Sequence, residues 1–123
     1  MRDLETIRTA MTAAEMGHLI ISTLHTVGAA NTIDRIIDVF PSNQQQQIRI
    51  QLSMLLQSVV SQQLIPTVEG TLIPVFEIMH TTNAVRTMIR EAKVHQIDSV
   101  ISTSSSLGMM SMDASLSLIH IFG

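Results

Sequence analysis

Two histidines seven residues apart, His18 and His25, lie in the stretch GHLIISTLHTVG at residues 17–28, and they have the widest chemical reach of any side chains here. An imidazole can donate to a phosphoryl oxygen, relay a proton or hold a metal ion. Seven is an odd spacing, so on a regular strand the two point to opposite faces and cannot easily chelate one ion. Zinc is the weaker reading throughout, because His80, His95 and His120 show no ligand spacing with these two or with carboxylates. Thr23 and Thr26 flank His25 and can hydrogen-bond beside a ligand, although Thr26 reads more simply as the N-cap of the following helix. Taken alone, a histidine beside an apolar strand is more often structural than catalytic.

A second group lies in AVRTMIRE, residues 84–91. Arg86 and Arg90 are four apart and share a helix face, while Val85, Met88 and Ile89 form the apolar side. Spacing alone makes this the solvated face of a short amphipathic helix. Arg2, Asp3 and Glu5 read as a charged first turn, and Arg35 with Asp34 and Asp38 as a surface pair or an interface cluster.

The elements that must hold these residues follow from periodicity. Asp3 caps a helix with apolar positions Leu4, Ile7, Met11 and Ala14, and Gly17 ends it. HLIISTLH is short and mostly apolar, like a strand covered on both faces. Such a strand delivers His25 and Thr26 to its C-terminal end, where open α/β sheets bind ligands. A helix follows with Ala29, Ile33, Ile36, Ile37 and Phe40 inward, stopped by Pro41. Ser42 or Asn43 then caps a long helix whose stripe is Ile48, Leu52, Leu55, Leu56, Val59 and Val60, ending at Pro66. LIPVFEIM, residues 72–79, reads as a strand, with Pro74 consigning it to an edge or falling among the strand's first residues. Asn83 caps the AVRTMIREA helix; HQIDSVIS adds two turns, 102–106 a loop, and Gly108 leads into a final helix. The pattern is mixed α/β up to Pro41 and mainly helical beyond it.

Composition narrows the field. Of the 123 residues 46% are hydrophobic, yet there are three Phe, nine Met and neither Tyr nor Trp. Such a core specifies shape poorly, which suits a piece that packs against something else. The absence of Cys excludes disulfides and thiolate metal sites. A formal charge of −3, with one Lys and six scattered Arg, argues against nucleic-acid binding. No apolar run approaches the ~20 residues that span a bilayer. MRDLETIR also lacks the apolar core of a signal peptide. A cytosolic chain without membrane insertion is expected.

Several stretches, in order, resemble the PilT-type pilus-retraction ATPases of the type II/IV secretion ATPase family. MRDLETIRTAMTAAEMGHL at 1–19 is similar to the segment after the family's Walker B glutamate. GHLIISTLHT at 17–26 resembles its His box, and TIDRIIDVFP at 32–41 the helix after that. AVRTMIRE resembles the AIRNLIRE motif of the retraction branch, and GMMSMDASL at 108–116 resembles GMQTMDQSL. Assembly ATPases of the family usually carry a four-cysteine zinc insertion before the strand at 72, and here Leu64 reaches Leu72 within a few residues, without Cys.

The resemblance implies the end of a RecA-like P-loop NTPase core at 1–41, with the His box, followed by a mainly helical C-terminal subdomain at 42–116. It implies that His25 faces the γ-phosphate region, with His18 positioning, and that Arg2 and Thr26 lie near the nucleotide. It further implies that Ala84, Val85, Arg86, Ile89, Arg90 and Glu91 belong to a helix needed for retraction. The complete enzyme would bind ATP and Mg²⁺, form a homo-hexamer, engage an inner-membrane pilus platform protein and sit in the cytoplasm against that membrane. The catalytic glutamate would fall just before Met1 and the P-loop further upstream. Independently, a GxxxxGK[ST] pattern needs a lysine, and Lys93, the only one, has no glycine near it. The chain alone should therefore not hydrolyse ATP. The alternative is a non-catalytic helical interaction module derived from such an ATPase. Residues 117–123, SLIHIFG, depart from the family's polar continuation, either as local variation or as a truncated, frame-shifted or foreign end.

Overall fold

Asp3 does what its position suggests: its carboxylate accepts from the Thr6 amide at 2.8 Å and opens α1 (Leu4–Glu15), which buries Ile7 and Met11. That bond, which favours the charged form, holds the Asp3 carboxyl below its ordinary pKa. The computed structural model of the chain describes residues 3–122, with side chains as far as Ile119. α2 (Ala29–Asp38) buries Ala29, Thr32, Ile33, Ile36 and Ile37, and Phe40 follows them into the interior. α3 (Ser42–Leu55) starts directly after, with Pro41 rather than Ser42 or Asn43 in the capping position. Its φ of −58° already suits the entry to a helix.

Two expectations fail here, for the same physical reason. Residues 18–25 form no strand: they run as an irregular link between α1 and α2, with Leu19 81% and Ile21 87% exposed. A strand exists only as part of a ladder, and among the described residues no neighbour pairs with this segment. The long helix expected to reach Pro66 instead ends at Leu55. Leu56 turns to extended backbone (φ −68°, ψ 129°), and Ser58–Pro66 become strand β1. Clustered apolar pairs at 55–56 and 59–60 fit a helical stripe and a strand equally. Pairing with β2 (Leu72–His80) decides between them.

β1 and β2 pair antiparallel, with Ser58 opposite His80, Ser61 opposite Glu77 and Pro66 opposite Leu72. The turn between them is closed by Thr67 and Thr71, whose hydroxyls lie 2.8 Å apart and whose backbones join N to O at 2.8 Å. Gly70 supplies the left-handed residue of that turn, at φ +86°. Odd-numbered residues of the hairpin (Ser61, Val75, Met79) are buried, whereas Val60, Leu64 and Leu72 on the even face are exposed. The far edge of β2 is covered: Ile78 exchanges backbone hydrogen bonds with Met110, and the Phe76 amide donates to Ser115 Oγ. The far edge of β1 pairs with nothing among the described residues.

α4 (Asn83–Arg90) is capped by Thr82, one residue earlier than the Asn83 expected. α5 (Ile97–Thr103) and a short 3₁₀ turn at Ser105–Leu107 take up most of the expected loop, and α6 (Met112–Phe122) closes the chain. Both strands follow Pro41, and one aliphatic and Met-rich cluster runs through the whole, with Ile33, Ile37, Met79, Ile89 and Ile97 fully buried.

Candidate functional site: the histidine segment and its groove

The histidine segment is tied at both ends. At its start the His18 amide donates to Ala13 O, and Gly17 takes φ +94°. At its end, Thr32 Oγ1 donates to Gly28 O at 2.8 Å, so the 2.7 Å contact between Thr26 and Thr32 hydroxyls has Thr26 as donor. Asn31 Nδ2 holds Val27 O at 2.9 Å. Thr26 is therefore not the N-cap of α2: that position is Gly28, at φ +91°, with no side chain of its own to offer. The helix is capped from across the molecule instead, where Glu77 Oε1 on β2 accepts from the Ala29 amide at 2.8 Å. A carboxylate at the positive end of a helix dipole is well placed.

His18 and His25 are both exposed. Between this segment on one side and the end of α3 with β1 on the other lies an open groove of about 910 Å³. His18, Thr23 and Thr26 line it together with Met54, Val59 and Val60, while His25 is not part of its wall. Because the segment is not a regular strand, the odd spacing of the histidines does not set their directions. Apart from His18 the wall is apolar, hydroxyl or amide, with no Lys or Arg, which suits a polypeptide rather than phosphates. Among the described residues, no three His, Cys, Asp or Glu side chains gather as metal ligands. Arg2 lies outside the described residues.

The AVRTMIRE helix divides its residues differently from the amphipathic picture. Val85 and Ile89 are fully buried, and Ala84, Arg90 and Glu91 are exposed. Arg86 and Arg90 are not equivalent. Arg86 is half-buried, its Nη1 donating to the carbonyls of Ser53 at 2.7 Å and Met54 at 3.3 Å. The Arg90 guanidinium donates to Thr87 Oγ1 at 3.3 Å, and Glu91 makes an exposed ion pair with Lys93 at 3.6 Å. Neither the Glu77 cap nor the Arg86 clasp carries a local sequence signal, since the partners are 48 and 33 residues apart.

On α2, burial and the neighbouring Asp38 raise the Asp34 carboxyl above its ordinary pKa, against weaker opposition from Arg49 and His95. A raised native pKa means protonation favours the folded state, so charged Asp34 opposes folding above that range. Asp34→Asn is expected to stabilise the chain at neutral pH by no more than about 0.5 kcal/mol. The gain should vanish as pH falls through the carboxylate range, which paired melting curves at neutral and acid pH would show.

A family model described as "Type II/IV secretion system protein" matches residues 1–72. The chain belongs to that family. Across 116 residues, 94% of its length, it is 54% identical to the type IV pilus retraction ATPase PilT of Pseudomonas aeruginosa, covering 34% of that protein. It is 50% identical over 117 residues to a twitching motility protein of Neisseria gonorrhoeae, covering 31% of it. A crystal structure of the pilus retraction motor PilT with bound ADP superposes over the full chain with a TM-score of 0.86 and 43% identity, again covering 34% of that structure. This secretion-family chain thus spans about a third of the length of the relatives it matches. Its mixed helix-and-strand fold agrees with the PilT structure, so the expected family and fold class stand.

Proposed function

We propose that this chain is the C-terminal portion of an ATPase that powers type IV pilus retraction and twitching motility. One observation carries the reading: the match to PilT runs through nearly the whole chain, in sequence and in backbone. The groove supports it. A β1 edge unpaired among the described residues faces an apolar segment that lacks a ladder, and a strand from the other two-thirds of a longer protein would satisfy both. In that setting residues 18–25 would become the strand that their composition suggests.

The residues present do not fit ATP or Mg²⁺ by themselves. Mg²⁺ prefers oxygen ligands such as carboxylates, and no such cluster exists among the described residues; the groove offers no cation to a triphosphate. Both ligands belong, in this reading, to the longer protein, with His25 reaching the γ-phosphate and His18 helping to shape the segment. A homo-hexamer working on a platform protein at the cytoplasmic face of the inner membrane completes the proposal. No helix among the described residues is long and apolar enough to cross a membrane.

The test is direct. The longer protein is expected to hydrolyse ATP with Mg²⁺ and to restore twitching to a retraction-deficient strain, while residues 1–123 alone should do neither. A longer protein without ATPase activity would sink the reading.

A further inference from the structure

Glu77 lies outside the stretches that carry the family resemblance, yet it holds the far end of the histidine segment. It stands on β2 opposite Ser61, which is only 5% exposed, and its Oε1 takes the Ala29 amide at 2.8 Å. The first helical amide of α2 is thereby tied to the sheet. Gly28 sits directly beneath the carboxylate, since a Cβ placed there would come within 3.6 Å of the same oxygen. From Gly28 the tie continues outward: its carbonyl is held by Thr32 Oγ1, and Thr32 Oγ1 is held by Thr26 Oγ1, the neighbour of His25. The His25 backbone is thus tied on its C-terminal side through three consecutive hydrogen bonds that begin on another element.

We propose that Glu77 is a positioning residue for His25. Through the Ala29 amide and the Thr32–Thr26 hydroxyl pair, it sets where the imidazole is presented to the nucleotide. The inference rests on the reading of His25 as a residue that meets the γ-phosphate region. Because Glu77 bonds the Ala29 amide rather than His25 itself, it acts on the geometry of the reacting state rather than on nucleotide capture. Small misplacements of a catalytic group lower turnover strongly even at a distance.

The experiment uses the longer ATPase with four variants: E77A, E77Q, T32V and H25A, with E77A also combined with H25A. Glu77→Ala is expected to lower kcat on the order of tenfold and leave KM for MgATP within about twofold. Glu77→Gln keeps an acceptor oxygen and should restore turnover to near wild type. Thr32→Val removes the hydroxyl relay without changing shape, and should reproduce the kcat loss even if Glu77→Ala melts below the assay temperature. In the H25A background Glu77→Ala should add nothing, because residues acting through one group are not additive. An unchanged kcat in both E77A and T32V, or a full Glu77→Ala loss in the H25A background, would overturn the proposal. Unchanged turnover in H25A alone would instead remove His25 from the site, which is the failure of the underlying reading.

Discussion

In the longer ATPase, His25→Ala is expected to lower kcat about a hundredfold while the melting temperature stays within a degree or two of wild type. The magnitude is that of deleting one hydrogen-bond donor directed at charge developing in a transition state, roughly 10²–10³ in rate. Unchanged stability follows from where the side chain stands: it is exposed, lines no wall of the groove and belongs to no part of the apolar cluster. The segment's fixed points lie on either side of it, at the His18 amide and at Thr26, so truncation at 25 leaves the link intact. Nucleotide affinity should change little, because the groups that cradle the phosphates would lie elsewhere in the longer protein. Steady-state ATPase assays beside thermal melts decide the matter. Wild-type turnover in H25A would exclude the imidazole from the reaction, and a collapsed melting temperature would make it structural.

What the sequence disclosed and what it withheld divide along the range of the interactions involved. α1 and α2 were legible because their signals are local: the Asp3 cap, Ile7 and Met11 on one stripe, and Ile33, Ile36 and Ile37 on another. β2 was legible from Val75, Phe76 and Ile78 and the turn at Gly70. β1 was not. Val59 and Val60 continue the stripe of α3 in register, and only pairing with Met79 and Ile78 makes them a strand. Residues 18–25 failed in the opposite sense, their composition asking for a ladder that the described chain does not contain. His25 was singled out by residue type and by resemblance, but its support was invisible: Glu77 lies 48 residues further on and nothing around it signals a helix cap.

The two arginines of AVRTMIRE offer a way to separate folding from motor function. Arg86 donates to the carbonyls of Ser53 and Met54, among the last of α3, whose outward-pointing oxygens have no partner within the helix. A guanidinium there satisfies them, complements the negative end of the dipole and pins α4 to the point where α3 gives way to β1. Arg86→Ala should therefore cost about 2 kcal/mol, the usual worth of hydrogen bonds from a charged donor, with a further cost from the freed Ser53 carbonyl. Arg86→Lys should recover only part of this, since one ammonium cannot reproduce the planar fork. Arg90, exposed and with its guanidinium on Thr87 Oγ1 while its carbonyl takes Gln46 Nε2, should cost no more than about 0.5 kcal/mol when its side chain is replaced by Ala. Urea unfolding of the longer protein measures both. If the motif serves retraction through its surface, Arg90→Ala will impair twitching at unchanged stability, whereas Arg86→Ala will impair it only in step with the loss of folding. Equal destabilisation by the two changes would remove Arg86 from the α3 terminus as the dominant contact. Twitching unaffected by Arg90→Ala would leave the motif a structural clasp, acting through Arg86 on the α3–β1 turn.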